Sequence, residues 1–369
     1  MMRHLPSGAT IIGMAPFQPG LGLAEAFYHD IVRTLVPRPH AACLLGEGSE
    51  VLGYDSTRST DHAWGLRLQI LVAAEDAEPV SRAIERGLPG TFRGWPVRFY
   101  SWQTRTIQHH VEVTTIDAWI ARELGFDPRR VLTTAAWLAL PQQRLLQVTQ
   151  GRVFRDDTGE LTAIRDLLGR YPRDVWLWMM TTQWHLIGNA APLLGRTAEA
   201  ADLRGSRLMA ARLVRLMAEM SFLHEHRYWP YAKWFGTAFA RLDAASSLGP
   251  ILDDLLAAAD HSVREDALVR ALAVLAQRHN ALGLTPTVEP VIKDFEVGIN
   301  DAVRPYRVLN VGDFVTACRN AIGDEALRNL VTVGAFDQLA HADDALVNFS
   351  PWPAHLAAVY EGLLRQDTP

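Results

Sequence analysis

Apolar and polar positions alternate along this chain in two distinct ways, and the change from one to the other divides it. In the first third, Gly22 to Val36 carries apolar residues at three-to-four-residue spacing, which predicts a helix stopped by Pro37 and Pro39. A short apolar run, Ala41 to Gly46, predicts a buried strand. Leu66, Leu68, Ile70 and Val72 alternate with Arg67 and Gln69, the period of a half-buried strand. A helix is expected over 76–87, then strands over 97–102 and 107–113. The last of these places Ile107, His109, Val111 and Val113 on one face and Gln108, His110 and Glu112 on the other.

From Thr115 onward the spacing is helical. A helix over 115–124 is closed by Gly125, with Pro128 just beyond. Further helices are expected over 133–150, 160–169, 173–191, 197–226, 230–247, 251–260 and 263–282. In this part only Arg304–Leu309 reads as a strand. The pattern predicts an α+β fold in which a small mixed-sheet domain, residues 1–128, precedes a larger, mainly helical domain, residues 129–369.

Composition narrows the function. The chain has 369 residues, 49% of them hydrophobic, with 36 basic against 41 acidic side chains and a formal net charge of −5. That content supports a large core and excludes general disorder. No basic run offers the electrostatic footprint that nucleic acid requires. Cys43 and Cys318 each sit in apolar surroundings, which suits buried thiols in a reducing compartment rather than a disulfide or a zinc site. The start has no apolar run with a cleavage site, so a cytoplasmic location is expected. Residues 175–195 carry no Asp, Glu, Lys or Arg, but Thr181, Thr182, Gln183, His185 and Asn189 favour a buried helix over a membrane span. Only two of the 36 basic residues are lysines, Lys233 and Lys293.

There is no P-loop, no dinucleotide-binding glycine motif, no HExxH and no GxSxG. The most specific feature is an apolar strand followed by Gly48-Ser49, with Asp61 expected to open the next strand. Backbone N–H groups and a hydroxyl in such a loop suit a triphosphate, and a carboxylate at the mouth of a neighbouring strand suits Mg²⁺.

With these residues the chain resembles the DNA polymerase β-type nucleotidyltransferase superfamily, which includes the aminoglycoside nucleotidyltransferases. More closely, it resembles an uncharacterised bacterial domain-of-unknown-function family of that fold. The matching stretches are GEGSEVLGYDSTRSTDHAWGLRL, HVEVTT, LLQVTQGRVFRDDTGEL, YPRDVWLW, GSRLMAARLVRLM, YWPYAKWFGTAFARL and HNALGLT. The resemblance implies a nucleoside triphosphate held at Gly48 and Ser49, Mg²⁺ on Asp61 and a third carboxylate assigned to Glu112, and transfer of a nucleoside monophosphate to a hydroxyl of a small molecule. Lys233, inside one matching stretch, and Arg196 are the expected phosphate contacts from the helical part.

One departure matters. The family pattern reads Asp-His-Asp-Trp-Gly, and this chain reads Asp61-His62-Ala63-Trp64-Gly65. Alanine cannot coordinate a metal, so two readings stay open: a transferase, and a nucleotide-binding pseudoenzyme that senses or scaffolds. Asp55 is a possible replacement from the loop. His109-His110 and His224-Glu225-His226 have the wrong spacing for a metal centre. Asp202 and Ser206 are further candidates for ligand contact.

Overall fold

A computed structural model describes residues 16–61, 64–101, 103–130, 132–297, 299–300, 302–340 and 351–365. By internal contacts the chain forms two compact units, Met1–Glu123 with Leu146–Leu168, and Leu124–Leu145 with Gly169–Pro369.

The first unit is built on a mixed five-stranded sheet. Its strands are β1 (Ala41–Leu44), β2 (Arg67–Leu71), β5 (Arg98–Tyr100), β6 (Ile107–Thr114) and β7 (Arg152–Asp156), in the spatial order β5-β6-β2-β1-β7. The short strands β3 (Thr91–Phe92) and β4 (Trp95–Pro96) form a separate hairpin. Among the described strands of this sheet, β2 and β6 are the one parallel pair. The helix Ala74–Gly87 lies between them in the chain, as a parallel pair requires.

Alternation decides what each face of the sheet meets. Ala42, Leu68, Ile70 and Val111 point into a core closed by Leu23, Phe27, Tyr28 and Val32 on one side and by Val80 and Ile84 on the other. The first four closing residues lie on the helix Gly20–Phe27 and the π turn Tyr28–Val32 that continues it, and the last two on Ala74–Gly87. The register aligns Cys43 with Gln69, and Gln69 with Glu112, on the opposite face. That face carries the polar residues Arg67, Gln69, His110 and Glu112.

The structure departs from the expected elements in several places. Strand β7 was not expected. It has only Val153 and Phe154 as apolar residues, too few to establish a period, yet it pairs with β1 and brings 146–168 back to the first unit. The contact division therefore ends the first stretch at Glu123 and adds this returning segment, where a single boundary at 128 was expected. The helix expected over 133–150 is two, Thr134–Ala139 and Gln142–Thr149, because Pro141 removes a donor and pushes Leu140 out of the helical region, at φ −77°, ψ 122°. The helix expected over 230–247 ends early as Ala232–Phe239, and Ala245–Ala257 follows. Strand β8 (Ile292–Glu296) pairs with the expected β9 (Val303–Leu309).

The second unit is mainly helical around Arg173–Glu199 and Leu203–His224. The uncharged stretch lies in the first of these, and the unit answers its polar load. Gln183 Nε2 donates to Leu216 O at 2.9 Å and to Glu219 at 3.1 Å, and Trp184 Nε1 donates to His279 Nδ1 at 3.2 Å. Among the described residues no helix is long and apolar enough to cross a membrane.

Candidate functional site

The polar face of the first unit gathers the chemistry. Strand β1 ends at Leu44, and the chain enters the loop 45–54, where Gly46, Gly48 and Gly53 take φ of +87°, +132° and +69°. Side chains fit this region poorly, so the glycines allow the chain to fold back within a few residues. Tyr54 N donates to Ser49 O at 2.8 Å and Gly53 N to Glu50 O at 3.2 Å, which closes the loop on itself.

Two residues of β2 fix this loop to the sheet. Gln69 acts as a surrogate strand: its Nε2 donates to Leu45 O and its Oε1 accepts from Leu45 N, both at 3.1 Å, and it also accepts from Cys43 Sγ at 3.6 Å. Arg67 donates from Nε to Glu50 Oε1 at 2.6 Å and from Nη2 to Glu47 O. Glu50 is only 1% exposed, so this is a buried pair inside the loop. A Cβ on Gly48 would collide with the guanidinium of Arg67 and the carboxylate of Glu50, which restricts this position to glycine.

Ser49 turns its hydroxyl toward Ser59 Oγ at 3.1 Å, and Ser59 Oγ accepts from Ser56 N at 3.0 Å. The loop is thereby tied to the 3₁₀ turn Thr57–Asp61. Asp61 does not open a strand as expected. It ends this turn, exposed, and β2 starts at Arg67. His62 and Ala63 lie outside the described residues. Asp55 has structural partners of its own. Its Oδ2 accepts from Gly20 N at 2.7 Å and Trp64 Nε1 at 2.9 Å, capping the helix that begins at Gly20.

Glu112 lies on the expected face, level with Gln69, but it is engaged. Arg122, from the helix Ile116–Leu124, grips it with both terminal nitrogens, Nη1 on Oε1 and Nη2 on Oε2, the latter at 3.2 Å. The same guanidinium donates from Nε to Glu123 Oε1 at 3.0 Å. Burial pushes the Glu123 carboxyl above its ordinary range, against the Arg122 charge, and the negative charges of Glu112 and Glu47 add to the rise. For a divalent metal ion this donor set does not fit. Both oxygens of Glu112 face a cation already, and among the described residues no three His, Cys, Asp or Glu side chains are grouped to hold one.

The two histidines divide as alternation requires. His109 pairs with Glu85 at 2.8 Å on the helix side of the sheet, while His110 stacks on Phe99 at 3.8 Å on the polar face. Burial lowers the pKa of both rings, and Glu85 works against the shift at His109.

The remaining candidates belong to the helical unit. Lys233 is exposed near the start of Ala232–Phe239, its Nζ 4.8 Å from the Trp234 ring. Arg196 lies in the last turn of Arg173–Glu199 with its guanidinium 5.7 Å over Phe295. Asp202 caps Leu203–His224 through Gly205 N at 2.8 Å, and buried Ser206 accepts from Arg264 at 2.7 Å, so both have structural partners. Glu225 caps the turn at Asp243 and Ala244 and accepts from Arg278 at 2.7 Å.

Sequence reasoning missed Arg67, Gln69, Glu50, Arg122 and Glu123. The signal for the first two was present: they are the polar members of the β2 alternation, on the face that carries Glu112. Arg122 carries no such mark, because its role comes from a helix folding back on the strand before it.

The family described as a domain of unknown function, DUF4037, matches residues 137–235. No curated protein matches this chain. A solved structure described as a nucleotidyltransferase-like protein from Exiguobacterium sibiricum 255-15 is similar at 10% sequence identity and a TM-score of 0.34, over 74% of this chain and 82% of that chain. At that score the likeness adds no functional weight to the geometry.

Proposed function

We propose that this protein binds a nucleoside triphosphate on the polar face of its sheet unit and acts as a nucleotide-binding sensor or scaffold. The observation that supports this reading is the loop 45–54. Three left-handed glycines, a hydroxyl at Ser49 and an internal Arg67–Glu50 pair make a rigid, glycine-turned corner at the end of a buried strand. A glycine-turned corner at the end of a strand, with a hydroxyl beside it, is a setting that phosphate recognition uses. In this reading Gly48 and Ser49 meet the phosphates. Transfer of a nucleoside monophosphate to a hydroxyl of a small molecule would call for Mg²⁺ on Asp61 and Glu112. The grip of Arg122 on Glu112 favours binding over transfer.

Calorimetry with ATP, GTP, CTP and UTP on the full chain tests this. At least one should bind, and Ser49→Ala should weaken it about tenfold, the scale of one phosphate hydrogen bond. Lys293→Ala should not weaken it, since Lys293 is already paired with Glu296 at 2.9 Å. If none of the four nucleotides binds, the reading fails.

A further inference from the structure

We infer that Arg122 is the resident cation of the polar face, holding Glu112 and Glu123 so that the face takes its ligand without a divalent metal ion. This rests on the nucleotide-binding reading for the identity of the ligand, but the role of Arg122 stands on its own geometry.

A carboxylate on a β-strand facing a loop of glycines is placed to bind a metal. Here its two oxygens meet the two terminal nitrogens of one guanidinium, a fork-to-fork match that is among the stronger charge-assisted arrangements. The third nitrogen reaches Glu123, the next residue of the same helix. One planar cation thus spans two carboxylates from two elements, and Glu123 is largely buried, with its side chain 13% exposed. Mg²⁺ demands near-octahedral oxygen ligands and gives up its water reluctantly. It would have to displace the guanidinium from Glu112 and then sit beside a displaced positive charge. A guanidinium is weakly hydrated, never loses its proton and is already delivered by the fold, so it keeps the place.

The short spacing makes this arrangement local. β6 ends at Thr114 and the helix starts at Ile116, so Arg122 returns over Glu112 within ten residues of chain. Lysine at this position could make only one of the contacts at a time, as a point charge.

The test uses the full chain and two probes, Mn²⁺ followed by electron paramagnetic resonance and ATP followed by calorimetry. Wild type should leave the free-Mn²⁺ signal unchanged and bind ATP equally well in EDTA and in Mg²⁺. Arg122→Gln should take up Mn²⁺ at least about tenfold more tightly than wild type, and Glu112→Gln with Arg122→Gln should lose that gain. Arg122→Lys, which keeps the charge, should remain closed to Mn²⁺. Arg122 is 48% exposed, so these variants are expected to fold, and thermal melts followed by circular dichroism check this. Stoichiometric Mn²⁺ uptake by wild type that Glu112→Gln abolishes would overturn the inference, as would identical Mn²⁺ uptake by wild type and Arg122→Gln. Failure of ATP to bind under either condition removes the nucleotide reading and leaves the Mn²⁺ comparison to decide Arg122.

Discussion

Two buried titratable residues of the helical unit oppose each other across one pH window. Asp337 is 2% exposed, with Oδ2 accepting from Gln142 N at 2.7 Å, and burial pushes its carboxyl up to about 7. His279 is equally buried, and burial pushes its ring down to about 4. For Asp337 the folded state keeps a proton that the unfolded chain has lost, so its contribution is full below about pH 4 and disappears as pH rises to about 7. For His279 the folded state refuses a proton that the unfolded chain accepts. Its contribution is full above about pH 6.5 and disappears as pH falls to about 4. Each spans two to three pH units, roughly 3–4 kcal/mol at the upper limit, so the two largely cancel. His224, also held neutral by burial, adds to the histidine side. Denaturant unfolding between pH 4.5 and 7 should therefore give wild type a shallower slope than Asp337→Asn, whose stability should rise with pH. A flat profile for Asp337→Asn would contradict the opposition. Arg67→Ala makes a second prediction. It strands the Glu50 carboxylate in the loop and should cost about 3 kcal/mol in urea unfolding, with Glu50→Gln in the same chain recovering most of it.

At the level of elements, what was readable in the sequence followed periodicity. The long helices and strands β2 and β6 were legible because each repeats its pattern enough times to fix a face, and β1 because its apolar run is unbroken. Glu112 was placed on the correct face for that reason. Strands β7 and β8 were not legible, since five residues at a sheet edge or in a hairpin carry too few apolar positions to set a period. The turn at Asp61 and the roles of Asp55 and Arg122 depend on contacts between residues that periodicity does not connect. Asp55 shows how such a contact stabilises an element. The helix Gly20–Phe27 follows Pro19, which supplies no side-chain cap, and Asp55 supplies one from 35 residues away. Asp55→Ala should lower stability by about 1–2 kcal/mol, the range of a lost N-cap, because Gly20 N and Trp64 Nε1 lose one acceptor together. Asp55→Asn, which keeps an acceptor oxygen, should recover part of the loss in thermal melts.

For the molecule as a whole, the returning segment 146–168 decides where an independently folding piece can end. In the sheet β1 lies between β2 and β7, and all four of its residues are buried. Ending the chain at residue 128 would leave the outer edge of β1 unpaired, and buried backbone groups without partners are costly. It would also remove the bond from Gly46 N to Gln147 O at 2.8 Å, which anchors the glycine loop, and that from His40 N to Asp157 Oδ2 at 2.8 Å, which anchors the start of β1. A fragment of residues 1–168 keeps all five strands and both anchors, with 124–145 carried as an insertion belonging to the other unit. It should unfold cooperatively on heating and keep the Ala41–Leu44 amides protected from hydrogen exchange. A fragment of residues 1–128 should show no cooperative transition and rapid exchange at the same amides. Equal protection in the two fragments would mean that β7 is dispensable, and that the boundary expected at residue 128 marks the folding boundary after all.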